Sequence, residues 1–242
     1  MPYENIYIQK VAEHSHIYSD EELMRAKKGK WREFFAEQKK VQNEGFPNEL
    51  NQLNEQNILN RSLLMLEIGT GMGNFFSNYA ENHPDTSCVW IELKFKRLIR
   101  THEKCARKGR DDVILLKVFG QKITEIFAPG EVDELYLLFS DPWPKKWHHK
   151  NRVIQDDFLR DAASILAPGG LFLIKTDEAS YALWIDEHLS RCPYFTYEKD
   201  DNEEPDKKLT PETATEFETM GRREGSRIVS FTCRKIQIVE KY

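Results

Sequence analysis

An α/β fold, a mostly parallel central sheet with helices on both faces, is predicted by three features of this chain. From Leu63 onward, short apolar runs alternate with helix-length amphipathic segments, the rhythm of strand–helix–strand units. The first run ends in Glu67-Ile68-Gly69-Thr70-Gly71-Met72-Gly73, a glycine-rich turn from strand into helix. A later run, Leu135–Phe139, leads into Asp141-Pro142-Trp143-Pro144-Lys145-Lys146. Two prolines there fix φ and remove backbone donors, which makes a stiff loop. Ligands of open α/β sheets bind outside the strand carboxyl ends, so both segments fall where a site belongs.

The elements follow in order. Residues 1–60 are polar and are expected to form an N-terminal extension, a helix plus linker, ahead of one domain over 61–242. Ser19-Asp20-Glu21-Glu22 places acids in a first helical turn, as a helix start requires. The bases that follow from Arg25 to Lys40 suit equally a solvated face and an arm that orders on RNA. Residues 42–60, rich in Asn, Gln and Glu, are expected to pack loosely. Strands are predicted at Leu63–Ile68, Cys88–Leu93, Val113–Val118, Glu134–Phe139 and Leu171–Thr176. Helices are predicted at Asn74–Asn82, Phe95–Lys108, Gln121–Phe127, Gln155–Leu166 and Ala179–Ser190. Ala167-Pro168-Gly169-Gly170 is a stop-and-turn signal. Strands near Tyr194–Tyr197 and Ile228–Arg234 finish the sheet, with Lys199–Thr213 as a loop between them.

Composition limits the choice of function. The 242 residues, 40% of them hydrophobic, suffice for one large domain with a real core. The four cysteines, Cys88, Cys105, Cys192 and Cys233, form no C-x-x-C pair, which argues for a reducing, cytoplasmic setting and against structural zinc. His14, His16, His83, His102 and His188 show no metal spacing, so no metal is expected. No apolar run approaches the ~18 residues of a membrane span, and no membrane partner is expected. A net charge of −5 confines nucleic-acid binding to a local patch.

The glycine turn has the spacing G-x-G-x-G rather than the G-x-G-x-x-G of dinucleotide sites. It is flanked by Glu67, and a second acid, Glu92, ends the next strand. A carboxylate there accepts hydrogen bonds from ribose hydroxyls. Two acids without a pyrophosphate signature favour a nucleoside-like ligand that carries no phosphate. The loop after the fourth strand adds Lys145, Lys146, Lys150 and Arg152 with His148 and His149, cations able to track phosphates. Its indoles, Trp143 and Trp147, are suited to stack on a splayed base.

Together these features resemble the S-adenosylmethionine-dependent methyltransferases with a Rossmann-like sheet. Asp141-Pro-Trp-Pro-Lys-Lys with His148-His149-Lys150 resembles one branch, the bacterial tRNA (guanine-N7)-methyltransferases. Thr215-Glu216-Phe217-Glu218 and Lys175-Thr176-Asp177 resemble two further motifs of that branch. The resemblance covers about Leu63 to Arg234. It implies S-adenosyl-L-methionine as cofactor and tRNA, not DNA, as partner, with the variable-loop guanine, usually position 46, as acceptor. It further implies that Glu67, Glu92 and Asp141, with the turn glycines Gly69, Gly71 and Gly73, contact the cofactor, and that Asp141 is catalytic. Lys145, Asp177 and Thr215 to Glu218 would hold the guanosine, and Trp147, His148, His149, Lys150, Asn151 and Arg152 would touch tRNA.

The chain departs from the family pattern at several positions. Where an Asp or Asn usually meets the adenine, this chain has Val118-Phe119-Gly120-Gln121, which leaves Phe119 or Gln121 for that contact. Trp147 and Asn151 stand where arginines are common, and Leu138 where a polar residue is common. A second reading therefore stays open, a catalytically weak or differently targeted RNA-binding protein on the same scaffold. Cofactor binding separates the two.

Overall fold

A computed structural model describes residues 6–11, 13–43, 63–69, 71–201 and 214–236. The chain starts with α1 (Ile6–Val11), the two-residue β1 (Ile17–Tyr18), α2 (Glu21–Ala26) and α3 (Trp31–Asn43). There follow β2 (Leu64–Ile68), α4 (Asn74–Asn82), β3 (Ser87–Ile91), α5 (Phe95–Arg107), β4 (Ile114–Leu116) and α6 (Ile123–Ile126). The second half comprises β5 (Val132–Leu138), α7 (Asp156–Ile165), β6 (Leu166–Thr176), α8 (Ala179–Ser190), β7 (Phe195–Asp200), α9 (Glu216–Arg223) and β8 (Val229–Lys235). Strand order in the sheet is β1-β4-β3-β2-β5-β6-β8-β7, with β8 antiparallel to both its neighbours and the other pairs parallel.

Every residue of β2, β3 and β4 is buried, as expected of parallel strands covered on both faces. Alternate side chains feed two cores. Leu64, Leu66, Ile68, Val89, Ile91, Leu135 and Leu137 pack with α6, α7 and α8. Met65, Cys88, Trp90, Tyr136 and Leu138 pack with α4 and α5. The chain moves from β2 outward to β3 and β4, then returns to place β5 on the other side of β2. The topological switch point therefore lies between β2 and β5, the position at which such sheets take a ligand.

Most predicted elements stand within a residue or two, and the differences are physical. Ala167-Pro168-Gly169-Gly170 lies inside β6, where the register with β5 shifts between Val132 and Glu134. The turn signal is a bulge: Gly169 takes φ +75°, so the chain kinks without leaving the sheet. The segment expected as a helix over Gln121–Phe127 divides into a 3-10 turn, Gly120–Lys122, and α6. Lys199 and Asp200, expected in a loop, extend β7. Residues 202–213 of that loop lie outside the described residues, as do residues 44–60 of the expected linker.

The N-terminal segment differs most from expectation. Met24, Trp31 and Phe35 are buried in the same core as the sheet. The Trp31 indole donates to the Ile126 carbonyl at 3.0 Å, and its backbone N–H to Glu131 at 2.9 Å. Asp20 caps α2 by accepting from the Glu22 N–H at 2.8 Å. Four of the bases offered to solvent or RNA by the sequence, Arg25, Lys27, Lys28 and Arg32, are engaged by the protein itself. Arg25 pairs with Glu21 and Glu125, Lys28 donates to the Thr124 carbonyl, and Arg32 binds Asp133. Lys27 lies over the Phe34 ring, 3.6 Å from its centroid. Removing this segment would uncover core, so it is not a dispensable arm.

Candidate active site

Two loops flank the switch point. On one side β2 ends at Ile68, and the Gly69 N–H donates to the Ile91 carbonyl at 2.8 Å, which holds the turn against β3. Gly73 enters α4 with φ +71°, and a Cβ there would collide with Thr101 of α5. Only glycine lets the turn sit this close to the neighbouring helix. Gly69 faces open space, with nothing within 4 Å of where a Cβ would stand. Lys104 of α5 closes the turn from outside, donating to the Met72 carbonyl at 2.7 Å and to the Asn74 side chain.

Glu67 is fully buried under this turn. Glu92 is 6% exposed, and its Oε1 accepts from the N–H groups of Leu93 at 2.7 Å and Lys94 at 3.0 Å. Arg97 pairs with the other oxygen at 3.2 Å. The carboxylate is thereby fixed in direction at the end of β3, and its remaining acceptor capacity suits a diol. Phe119 is 56% exposed on the approach to the 3-10 turn, and Gln121 is exposed on that turn. Glu21 of α2 accepts from Lys122 at 2.7 and 2.9 Å, which ties the N-terminal segment to the same turn.

On the other side β5 runs into a strained loop. Phe139 takes φ +53° and Trp143 φ +45°, so two non-glycine residues in the left-handed region bracket Asp141. Each such residue costs about 1–3 kcal/mol and persists only where the surroundings impose it. The Phe139 N–H is held by the Lys175 carbonyl of β6 at 2.8 Å. Asp141 and Lys145 are exposed, as is Asp177 at the end of the neighbouring β6. Lys146, Trp147, Lys150 and Asn151 are exposed too, while His148 and His149 are half-buried.

Arg152 stands apart from the RNA contacts among which the sequence placed it. It is 2% exposed, and its guanidinium lies over the Tyr181 and Trp184 rings of α8 at 5.2 and 5.0 Å. Its Nε donates to the Pro142 carbonyl at 2.8 Å. The residue braces the proline loop from beneath, and its burial leaves no open face for a phosphate.

The Thr215–Glu218 segment also divides. Thr215 caps α9, its hydroxyl accepting from the Glu218 N–H at 2.9 Å. Glu218, 2% exposed, contacts Lys175 at 3.3 Å and Arg222 at 2.8 Å. These two residues, expected to hold substrate, are turned inward and secure the helix to β6. Glu216 and Phe217 face outward. Phe217 lies against the glycine turn, with its Cε2 3.1 Å from where a Gly71 Cβ would be. Its ring stacks with Phe139 at 6.2 Å and an interplanar angle of 23°. The sequence carries one signal for Phe139, its position as the last apolar residue before the rigid loop.

A doubly wound sheet whose β2 carries a buried acid, Glu67, and runs into a glycine turn, with a second acid, Glu92, just after β3, is the frame of a Rossmann-like methyltransferase. The chain matches the family described as "Putative methyltransferase" over residues 61–231. It is 32% identical over 174 residues to a tRNA (guanine-N(7)-)-methyltransferase of Bdellovibrio bacteriovorus, covering 72% of this chain and 83% of that protein. It is 30% identical over 178 residues to a bifunctional glycosyltransferase/methyltransferase of Fusobacterium nucleatum, covering 73% of this chain but only 24% of that protein. Among solved structures, an antibiotic-related methyltransferase shares the fold with a TM-score of 0.54 at 15% identity, covering 79% of this chain and 96% of that one. The chain belongs to the tRNA (guanine-N7-)-methyltransferase family. Among the described residues no helix is long and apolar enough to cross a membrane.

Proposed function

We propose that this chain transfers a methyl group from S-adenosylmethionine to N7 of guanine in tRNA, with the variable-loop guanosine as acceptor. The observation that carries this reading is the pair of loops at the switch point, one shaped for a nucleoside and the other rigid and acid-bearing. The residues present fit the cofactor. Gly69 leaves the turn open, Glu92 offers a fixed carboxylate to a ribose, and Phe119 offers a flat apolar face to an adenine. Glu67 and the glycines Gly71 and Gly73 would shape the methionine end, and Gln121 would border the adenine. When bound, S-adenosylmethionine supplies a methyl group on a positively charged sulfur.

Guanine N7 has a free lone pair and no proton, so its attack requires no general base. The protein's task is alignment, which contributes ~7–11 kcal/mol when two reactants are held in line. Positive charge passes to the purine as the bond forms. Asp141 and Asp177, at adjacent strand ends, would favour that shift as fixed anions. Lys145, Glu216 and Phe217 would orient the guanosine, with Thr215 and Glu218 acting through the helix they secure. Exposed Trp147, Lys150 and Asn151, with half-buried His148 and His149, would meet the RNA around it.

The test is methyl transfer from S-adenosylmethionine to unmodified tRNA, with product nucleosides identified by mass spectrometry. N7-methylguanosine at the variable loop is the expected product. tRNA binding without methylation would instead favour an RNA-binding protein on the same scaffold.

A further inference from the structure

The proline loop presents an indole that the fold does not use. Trp147 is 69% exposed, although burying an indole is in general strongly favourable. It is nevertheless held in place. Lys145 Nζ lies 5.7 Å from its ring centroid, and the His148 ring meets it edge-on at 5.8 Å. His148 also meets Trp143 edge-on at 5.4 Å, so three rings form a row along the loop. The backbone beneath is fixed by the 3-10 turn Lys146–Asn151, the His148 N–H to Lys145 carbonyl bond at 2.8 Å, and Gln155 donating to the His149 carbonyl at 2.9 Å. The indole is therefore both preorganised and open.

Its surroundings point to one kind of ligand. Lys145, Lys146 and Lys150 are exposed around it, and no ion pair engages them among the described residues. A flat aromatic face amid free cations matches a nucleobase stacked beside its own phosphates. We propose that Trp147 is a stacking platform for an unpaired base of the same RNA strand that delivers the methyl acceptor to Asp141. This rests on the proposed function. A cation here would grip a phosphate and release counterions; an indole grips a base and releases none. The platform thus contributes affinity that salt does not remove.

Binding of unmodified tRNA transcript, measured across a salt series for the wild type and the variants W147A, W147F and W147R, separates the two modes. W147A is expected to weaken binding by about ten- to a hundred-fold at every salt concentration. The slope of log affinity against log salt should stay at its wild-type value. W147F should recover most of the affinity, which excludes a folding defect as the cause. W147R should steepen the slope by about 0.7–0.9. Wild-type affinity in W147A, or a loss that disappears at high salt, overturns the platform. Methyl transfer by the wild type to the same transcript distinguishes the levels. Transfer with an unaffected W147A removes the platform alone, whereas a wild type that neither binds nor methylates the transcript removes the proposed function with it.

Discussion

The two sides of the switch point are built differently. On the β2–β3 side the acids are interior: Glu67 is fully buried, and Glu92 is 6% exposed and oriented by two backbone amides and Arg97. On the β5–β6 side the acids Asp141 and Asp177 are exposed, and rigidity comes from the backbone, from strained Phe139 and Trp143 over a buried Arg152. A small ligand of fixed shape can be met by side chains locked in a core. A folded RNA arrives as a large surface, so its contacts must project outward and only their mounting can be rigid.

The comparison can be broken first at its support. Trp31→Ala removes a fully buried indole and its bond to Ile126, and should cost about 3–5 kcal/mol in urea denaturation. A loss under 1 kcal/mol would show that the N-terminal segment is peripheral to the core. On the opposite side, Asp141→Asn should lower kcat for methyl transfer by about a hundred- to a thousand-fold. Full activity with a flat pH–rate profile would mean that no charge is needed there. Glu92→Gln sharpens the contrast. It should raise KM for S-adenosylmethionine by about ten- to a hundred-fold, the loss of hydrogen bonds to a charged acceptor, with kcat near the wild-type value.

The smallest effect is one of pH. The rings of His14 and His16 lie 4.9 and 5.8 Å from that of His102. Burial, with these two imidazoles, pushes His102 down to about 4, against the opposing pull of Asp111 and Glu103. Below the ordinary value of 6.5 the unfolded chain takes up a proton that the folded chain refuses. This contribution to stability is therefore complete above pH 6.5 and declines as pH falls toward 4. His102→Asn should flatten the pH dependence of the urea midpoint over that window.

What the sequence discloses depends on how local the cause is. The glycine turn, Asp20 as a cap, and the stiff Asp141–Pro144 loop depend on residues a few positions apart, and so are visible in a string of letters. Trp31 read as part of a polar extension because its partner, Glu131, lies 100 residues away. Arg152 read as an RNA contact because its stacking partners are on α8. Glu218 read as a substrate ligand because Lys175, the buried cation beside it, is 43 residues distant. In each case a residue placed outward by its local segment or by the resemblance is turned inward by a distant neighbour. The histidine cluster was missed for the same reason: His14 and His16 carry no spacing relation to His102.

The position of β8 has a consequence for assembly during synthesis. β7 is attached to the sheet through β8 alone, and β8 also forms the flank of β6 that bears Thr176 and Lys175. A nascent chain can complete β2 through β5, and with them the side that carries Glu67 and Glu92, while β6 still has a bare edge. Only when residues 229–235 emerge does that edge close and β7 gain a neighbour. The edge of β6 that leads to Asp177 is thus the last part of the sheet to be covered, and a chain released before residues 229–235 emerge would leave that edge open to pairing with another strand.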